Sequence, residues 1–304
     1  MIKSKIEWTE TTWSPVIGCT KVSAGCKHCY AEREVETRWS KNPKSIWFER
    51  KFARVTCRVE ALSGPSTPLS WKKPRRIFVC PRADLFHEYV PDLFIADVFG
   101  VMAATPQHTY QVLTKRPERA RWLLGGEGIL NFRTAVEECA AMYSNADVVW
   151  PLPNVHLGTS IEDQPTADAR IAELLATPAA VHWISAEPLL AAVDLRPFLD
   201  GSFANADISR PDLDWVVVGG ESGPDARPMH PDWVRQIRDD CKDTGVPLLF
   251  KQWGEWAPAK ETAGRRGKIT DMAGFVTMRR VGKRAAGRLL DGALHDAYPR
   301  AIPW

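Results

Sequence analysis

Short β-branched apolar runs, each ended by polar residues, recur along the chain, and longer stretches with apolar residues at helical spacing separate most of them. Seven runs predict strands: Thr12–Ile17, Arg76–Cys80, Thr109–Leu113, Val155–Thr159, His182–Ser185, Trp215–Val218 and Leu248–Lys251. The segments between them predict helices over Cys29–Trp39, Pro91–Ala104, Glu118–Leu124, Asn131–Tyr143, Pro165–Ala176 and His230–Thr244. Alternation of strand and helix predicts parallel strands joined by right-handed crossovers. The expected fold class is therefore α/β: a full or partial TIM-like (β/α) barrel of parallel strands with a C-terminal β-hairpin extension. An open doubly wound sheet fits the same alternation, but no Gly-rich dinucleotide fingerprint follows the first strand.

The barrel is expected over residues 1–255. An insertion is expected over about 41–73, where Gly64, Pro65 and Pro68 interrupt the pattern. Gly125–Gly128 and Phe198–Asp212 read as loops. Residues 256–304 read as a basic extension, with Val276–Val281 and Ala285–Leu290 as a hairpin around Gly282-Lys283.

Composition narrows the class. The chain has 304 residues, 44% apolar and 25% charged, as a globular protein does. No apolar run reaches the roughly 18–20 residues of a membrane span, and Met1 to Trp8 lacks the apolar stretch of a signal peptide. No membrane association and a cytoplasmic location are expected. Seven cysteines, an odd number, argue against a secreted disulfide scaffold and for metal binding or chemistry. Net charge is +3, but Lys260 to Arg300 alone carry ten Lys or Arg against four Asp or Glu. Such a segment suits an anionic partner; a solvated surface hairpin explains it equally.

The chemistry concentrates in Gly18-Cys19-Thr20-Lys21-Val22-Ser23-Ala24-Gly25-Cys26-Lys27-His28-Cys29-Tyr30. Three thiolates within eleven residues suit an iron–sulfur cluster or zinc. Three thiolates on a four-iron cluster leave one iron open for a substrate or cofactor. A structural zinc would need a fourth ligand, with His28, Cys57 or Cys80 as candidates. Cys139 and Cys241 lie in helical patterns and read as core. No Walker loop, nucleophile elbow or His-Glu-x-x-His occurs.

This loop resembles that of the radical S-adenosylmethionine superfamily, and most resembles its phage Gp37/Gp68 branch, also described as three-Cys-motif proteins. The spacing is Cys-x6-Cys-x2-Cys, where the commonest superfamily spacing is Cys-x3-Cys-x2-Cys, and His28 stands where an aromatic residue usually precedes the third Cys. The resemblance extends to Asp84-Leu85-Phe86, Leu113-Thr114-Lys115-Arg116-Pro117, Gly158-Thr159-Ser160, Glu187-Pro188-Leu189, Gly219-Gly220-Glu221-Ser222-Gly223 and Lys251-Gln252-Trp253-Gly254. It implies a [4Fe-4S] cluster on Cys19, Cys26 and Cys29, S-adenosylmethionine as second cofactor, and a flavodoxin- or ferredoxin-type electron donor. Reductive cleavage would give methionine and a 5′-deoxyadenosyl radical.

In a parallel α/β barrel the active site lies at the C-terminal strand ends, and all seven ends here carry polar groups. For the cofactor, Asp84 is the positional candidate for the ammonium. Thr159, Ser160 and Glu187 are candidates for the ribose and carboxylate shell. Lys115 and Arg116 suit the carboxylate or a substrate phosphate. Gly219-Gly220-Glu221 has the form of an ammonium-binding sequence, but follows the sixth strand rather than the second. It reads equally as a tight turn where backbone approaches a ligand. A nucleic acid base or nucleotide is the first substrate expectation, from the phage association, the basic tail, Lys115-Arg116 and the thirteen Trp; a peptide or small metabolite stays open, as does a partner protein. The alternative class is a zinc-stabilised nucleic-acid-binding protein without radical chemistry.

Overall fold

The structure, a computed structural model, describes residues 4, 6–126, 131–145, 147–203 and 212–299. Seven parallel strands form one sheet: β1 (Thr11–Trp13), β4 (Arg76–Val79), β5 (Thr109–Thr114), β6 (Val155–Ile161), β7 (Val181–Ala186), β8 (Trp215–Gly219) and β9 (Leu248–Gln252). Each pairs with its neighbour in sequence, so the sheet curls steadily into a half-barrel. The short β2 (Val16–Ile17) and β3 (Thr56–Cys57) pair with each other outside it. The expected first strand is thus two strands: the chain breaks at Ser14-Pro15 and turns away from the barrel before the first cysteine.

Helices α1 (Tyr30–Glu34), α2 (Asp92–Ala103), α3 (Pro117–Leu124), α4 (Phe132–Ala141), α5 (Gln164–Leu175), α6 (Arg196–Leu199) and α7 (Pro231–Thr244) fill the crossovers. Alternation along the strands separates two cores. Ile77, Val112, Leu157, Ile184, Val216 and Phe250 belong to the large cluster shared with the helices. Phe78, Trp183, Trp215, Val217 and Leu249 face the other way and meet Trp8 inside the half-barrel. Trp183 stands 5.2 Å from Trp8 and 5.0 Å from Trp215, ring centre to ring centre. Gly158 makes room for this floor, since a Cβ there would lie 2.4 Å from the Trp183 ring. These indoles are packing, not stacking platforms for a ligand.

The open edge of β9 is covered by the chain's own tail. Phe250 donates to the His295 carbonyl at 2.9 Å and Ala297 donates to Leu248 at 3.1 Å. Tyr298 then stacks on Trp215 at 5.4 Å, lies under the Arg76 guanidinium, and donates its hydroxyl to the Glu7 carbonyl at 3.2 Å. Residues beyond 255 therefore complete the barrel as well as extend it.

The extension does contain an antiparallel hairpin, at a different place from the expected one. It joins β11 (Ile269–Met272) to β12 (Val276–Arg280), with β10 (Trp256–Pro258) on the outer side of β12. The turn uses Gly274 at φ 70°, not Gly282-Lys283, and Lys283–Ala286 is a helical turn, α8. Among the described residues no helix is long and apolar enough to cross a membrane.

One histidine of the barrel gives a pH prediction. His156 alternates to the interior on β6, and burial pushes it down to about 4. In the unfolded chain a histidine titrates near 6.5. Between these values the unfolded chain holds a proton that the fold does not, so stability falls as pH drops from about 6.5 toward 4. Urea unfolding at steps across that window should show a shallower loss for His156→Gln; an unchanged slope refutes this assignment.

Candidate functional site

The cysteine loop begins just after β2, against the backbone of Phe52 and Arg54. Gly18 has φ +90°, and a Cβ there would lie 2.4 Å from the Arg54 carbonyl, so only glycine passes. Cys19 donates its N–H to the Phe52 carbonyl at 3.1 Å. Gly18 also bridges to Ala83, just past β4, which puts the loop at the C-terminal end of the sheet. A 3-10 turn spans Ala24–Cys26, and Cys29 opens α1. Cys19 and Cys29 both pack on the small cluster of Ile17, Ala31, Val35, Trp47 and Phe52. All three thiols are free, and Cys26 lies within electrostatic reach of both others. Burial pushes the Cys19 thiol up to about 12, with Asp84 adding and Arg116 opposing. Burial raises Cys29 as well, against the backbone N–H groups of Ala31 and Glu32. A metal is what makes such buried thiols into thiolates. Among the described residues no three His, Cys, Asp or Glu side chains are gathered around one point as ligands of a single ion.

Strand ends hold this loop at several places. Glu162, fully buried just after β6, accepts from Ser23 Oγ at 2.9 Å, from Lys115 Nζ, and from Arg170 Nη1 at 3.2 and 3.3 Å. Gly25 lies directly on it, since a Cβ would sit 2.4 Å from Glu162 Oε1. Glu221 takes Arg227 through Nε at 2.8 Å and Nη2 at 2.5 Å, and Arg227 Nη2 reaches the Ala24 carbonyl at 3.0 Å. Downstream, Tyr30 donates to the Pro81 carbonyl at 2.6 Å and Arg33 to the Ser222 carbonyl at 3.3 Å.

These bonds change the expected roles of several residues. Asp84 accepts from Thr114 Oγ1 (2.7 Å) and Phe86 N (3.0 Å) on one oxygen, and from Lys115 N (3.0 Å) and Arg116 Nη1 (3.2 Å) on the other. Its four acceptor positions are filled, which leaves none for an incoming ammonium. Lys115 is committed to Glu162, and Glu221 acts on the loop through Arg227. Thr159 points to the helix side, in step with Leu157 and Ile161, and donates to the Thr114 carbonyl at 3.0 Å. It does not join an interior ligand shell. Gly219 and Gly220 are needed by the chain's own packing. A Cβ on Gly219 would lie 2.2 Å from Glu187 Oε1, and one on Gly220 2.0 Å from the Trp253 carbonyl.

Ser185, Glu187 and Lys251 do converge on the interior side above the indole floor, with Ser160 beside Ser185 in register on β6. Glu187 Oε2 accepts from Ser185 Oγ at 3.2 Å and from Lys251 Nζ at 3.0 Å. The site thus pairs a thiol loop with a carboxylate–ammonium couple across the barrel mouth. Glu162 is one of the polar residues that a reading by strand ends finds, but Arg170, Arg227 and Ser23 escape it, because their partners lie 6 to 203 residues away and no local spacing marks them.

No curated protein matches this chain. Two solved structures resemble it faintly. One is spore photoproduct lyase complexed with dinucleoside spore photoproduct, at 10% identity and TM-score 0.39, covering 88% of this chain and 67% of that one. The other is a double mutant of that enzyme with bound AdoMet and the same dinucleoside, at 11% identity and TM-score 0.37, covering 88% and 68%. A family model matches residues 3–299, nearly the whole chain, and by that match the protein belongs to the family described as protein of unknown function (DUF5131).

Proposed function

We propose that this chain is a radical S-adenosylmethionine enzyme of the kind its cysteine loop resembles, with Cys19, Cys26 and Cys29 holding a [4Fe-4S] cluster. The observation that carries the reading is the seating of three free thiols on one loop at the C-terminal mouth of a parallel half-barrel. The donor set fits: three soft sulfurs, no disulfide, and N–H donors around the loop. When bound, such a cluster would supply the electron for reductive cleavage of S-adenosylmethionine, the radical chemistry that the resemblance implies. The protein's part is positional. Glu162 and Arg227 keep the loop against the strand ends, Glu187 and Lys251 offer a paired acceptor and donor to a polar ligand, and the indole floor closes the barrel to water from below.

For the substrate we propose a nucleic acid base or nucleotide. Arg265, Arg266 and Lys268 are exposed in the extension. Arg280 joins them to the site: its backbone N–H donates to the Lys268 carbonyl at 2.8 Å and its Nη2 to the Gly223 carbonyl at 2.8 Å, in the loop that follows β8. Cations beside the mouth suit phosphates. A flavodoxin- or ferredoxin-type protein would deliver the electron.

The test is anaerobic reconstitution with iron and sulfide, then dithionite and S-adenosylmethionine. Release of 5′-deoxyadenosine and methionine in equal amounts is expected, stimulated by the right oligonucleotide. Purification with bound zinc, no iron uptake and no cleavage would instead identify a zinc-stabilised binding protein.

A further inference from the structure

Arg116 stands between the end of β5 and the cysteine loop, with a side chain 11% exposed. A guanidinium has five N–H donors and no acceptor. Here all five have a partner. Nε donates to Glu88 Oε2 at 3.0 Å. Nη1 donates to Asp84 Oδ2 at 3.2 Å and to Cys19 Sγ at 3.7 Å. Nη2 donates to Thr20 Oγ1 at 2.9 Å and to the Thr20 carbonyl at 3.4 Å. Two donors are held by carboxylates on the β4 side, and three grip the first cysteine and its neighbour. Nothing is left over for a substrate phosphate or a cofactor carboxylate.

The surroundings fix the group from both sides. Asp84 is itself held by Thr114 and two backbone N–H groups. Thr20 Oγ1 also meets His87 Nε2 at 2.8 Å, while His87 Nδ1 accepts from Tyr89 N at 3.1 Å. That acceptor role leaves the ring proton on Nε2, directed at Thr20. A planar fork is required, because one group must span two carboxylates, a carbonyl, a hydroxyl and a sulfur; a lysine ammonium offers three donors from a single point.

We propose that Arg116 is the positioning residue for Cys19: it fixes the first thiolate ligand and, by donating to its sulfur, raises the reduction potential of the bound cluster and slows its loss. This rests on the functional reading above. A donor and positive charge beside a ligating sulfur stabilise the more negative, reduced cluster, and such outer partners hold metal sites together.

The experiment compares wild type, Arg116→Lys, Arg116→Gln and Glu88→Gln as full chains, reconstituted anaerobically. It reads iron and sulfide per chain, the rate of iron loss to a chelator, and the midpoint potential by titration followed by electron paramagnetic resonance. Both Arg116 variants should lose iron roughly tenfold faster and shift to more negative potential. Glu88→Gln, which frees one anchor at an exposed carboxylate, should move both in the same direction by less. If Arg116→Gln fails to fold by circular dichroism, the other two variants carry the comparison. Wild-type rates and potentials in every folded variant would overturn the proposal while the functional reading stands. A wild type that takes up no iron would sink the functional reading, and this inference with it.

Discussion

Replacing Cys26 with alanine is expected to bring iron per chain to background and to reduce S-adenosylmethionine cleavage by more than about 100-fold, beyond what loss of an outer partner does. Among the three cysteines this is the cleanest test. Cys19 and Cys29 pack on the cluster under the loop, so removing either also removes core contacts. Cys26 ends a half-buried 3-10 turn with no fully buried residue, and among the described residues its thiol hydrogen-bonds Ser23 Oγ alone, at 3.8 Å. Its loss should leave stability within about 0.5 kcal/mol of wild type. Loss of iron with an unchanged melting curve then identifies a ligand, not a folding defect. Iron and cleavage that both persist would remove the cluster from this loop.

Glu162→Ala is expected to cost on the order of 3–5 kcal/mol of stability, read by urea unfolding. The carboxylate is fully buried between Lys115, Arg170 and Ser23. Truncation leaves an ammonium and a guanidinium facing each other with no counter-charge, and opens a void beneath Gly25. Glu162→Gln keeps the shape and one acceptor but not the charge, so it should fall between. The loop should loosen too, seen as faster labelling of Cys26 in the metal-free protein. A cost below about 1 kcal/mol would mean that the three partners re-pair elsewhere.

The barrel was legible in the sequence because its strands are buried on both faces. Val-Val-Val after Trp215 and Leu-Leu-Phe after Pro247 read as strands without any partner in view. Only the ends moved, by one or two residues. The first strand misled because Trp13 and Val16 are both apolar across a Ser-Pro break, and periodicity does not register that the chain changes sheets there. The hairpin misled because Gly282-Lys283 has the form of a two-residue turn, while Ile269-Thr270-Asp271-Met272 is too short and polar to stand out.

The site was legible as a location, and less so as a set of roles. Polar residues after every strand pointed to the face on which the cysteine loop also sits. Their direction did not follow, since one step along β6 separates Thr159 on the helix side from Ser160 inside. Glu187 carries its meaning in the sequence only together with Gly219 and Lys251, which lie 32 and 64 residues on. Paired glycines suggested an approach to a ligand, yet the atoms that approach them belong to Glu187 and Trp253.

The tail that covers β9 bears on how the molecule assembles. Tyr298 meets Glu7 across 291 residues of sequence, and bringing such distant points together costs roughly 5 kcal/mol of chain entropy before any contact repays it. Local strand–helix pairs can form earlier, each from neighbouring sequence. The seam between first and last segments is therefore expected to form late in folding. Until it closes, β9 presents an unpaired edge to other chains, and the tail acts as the device that ends that exposure.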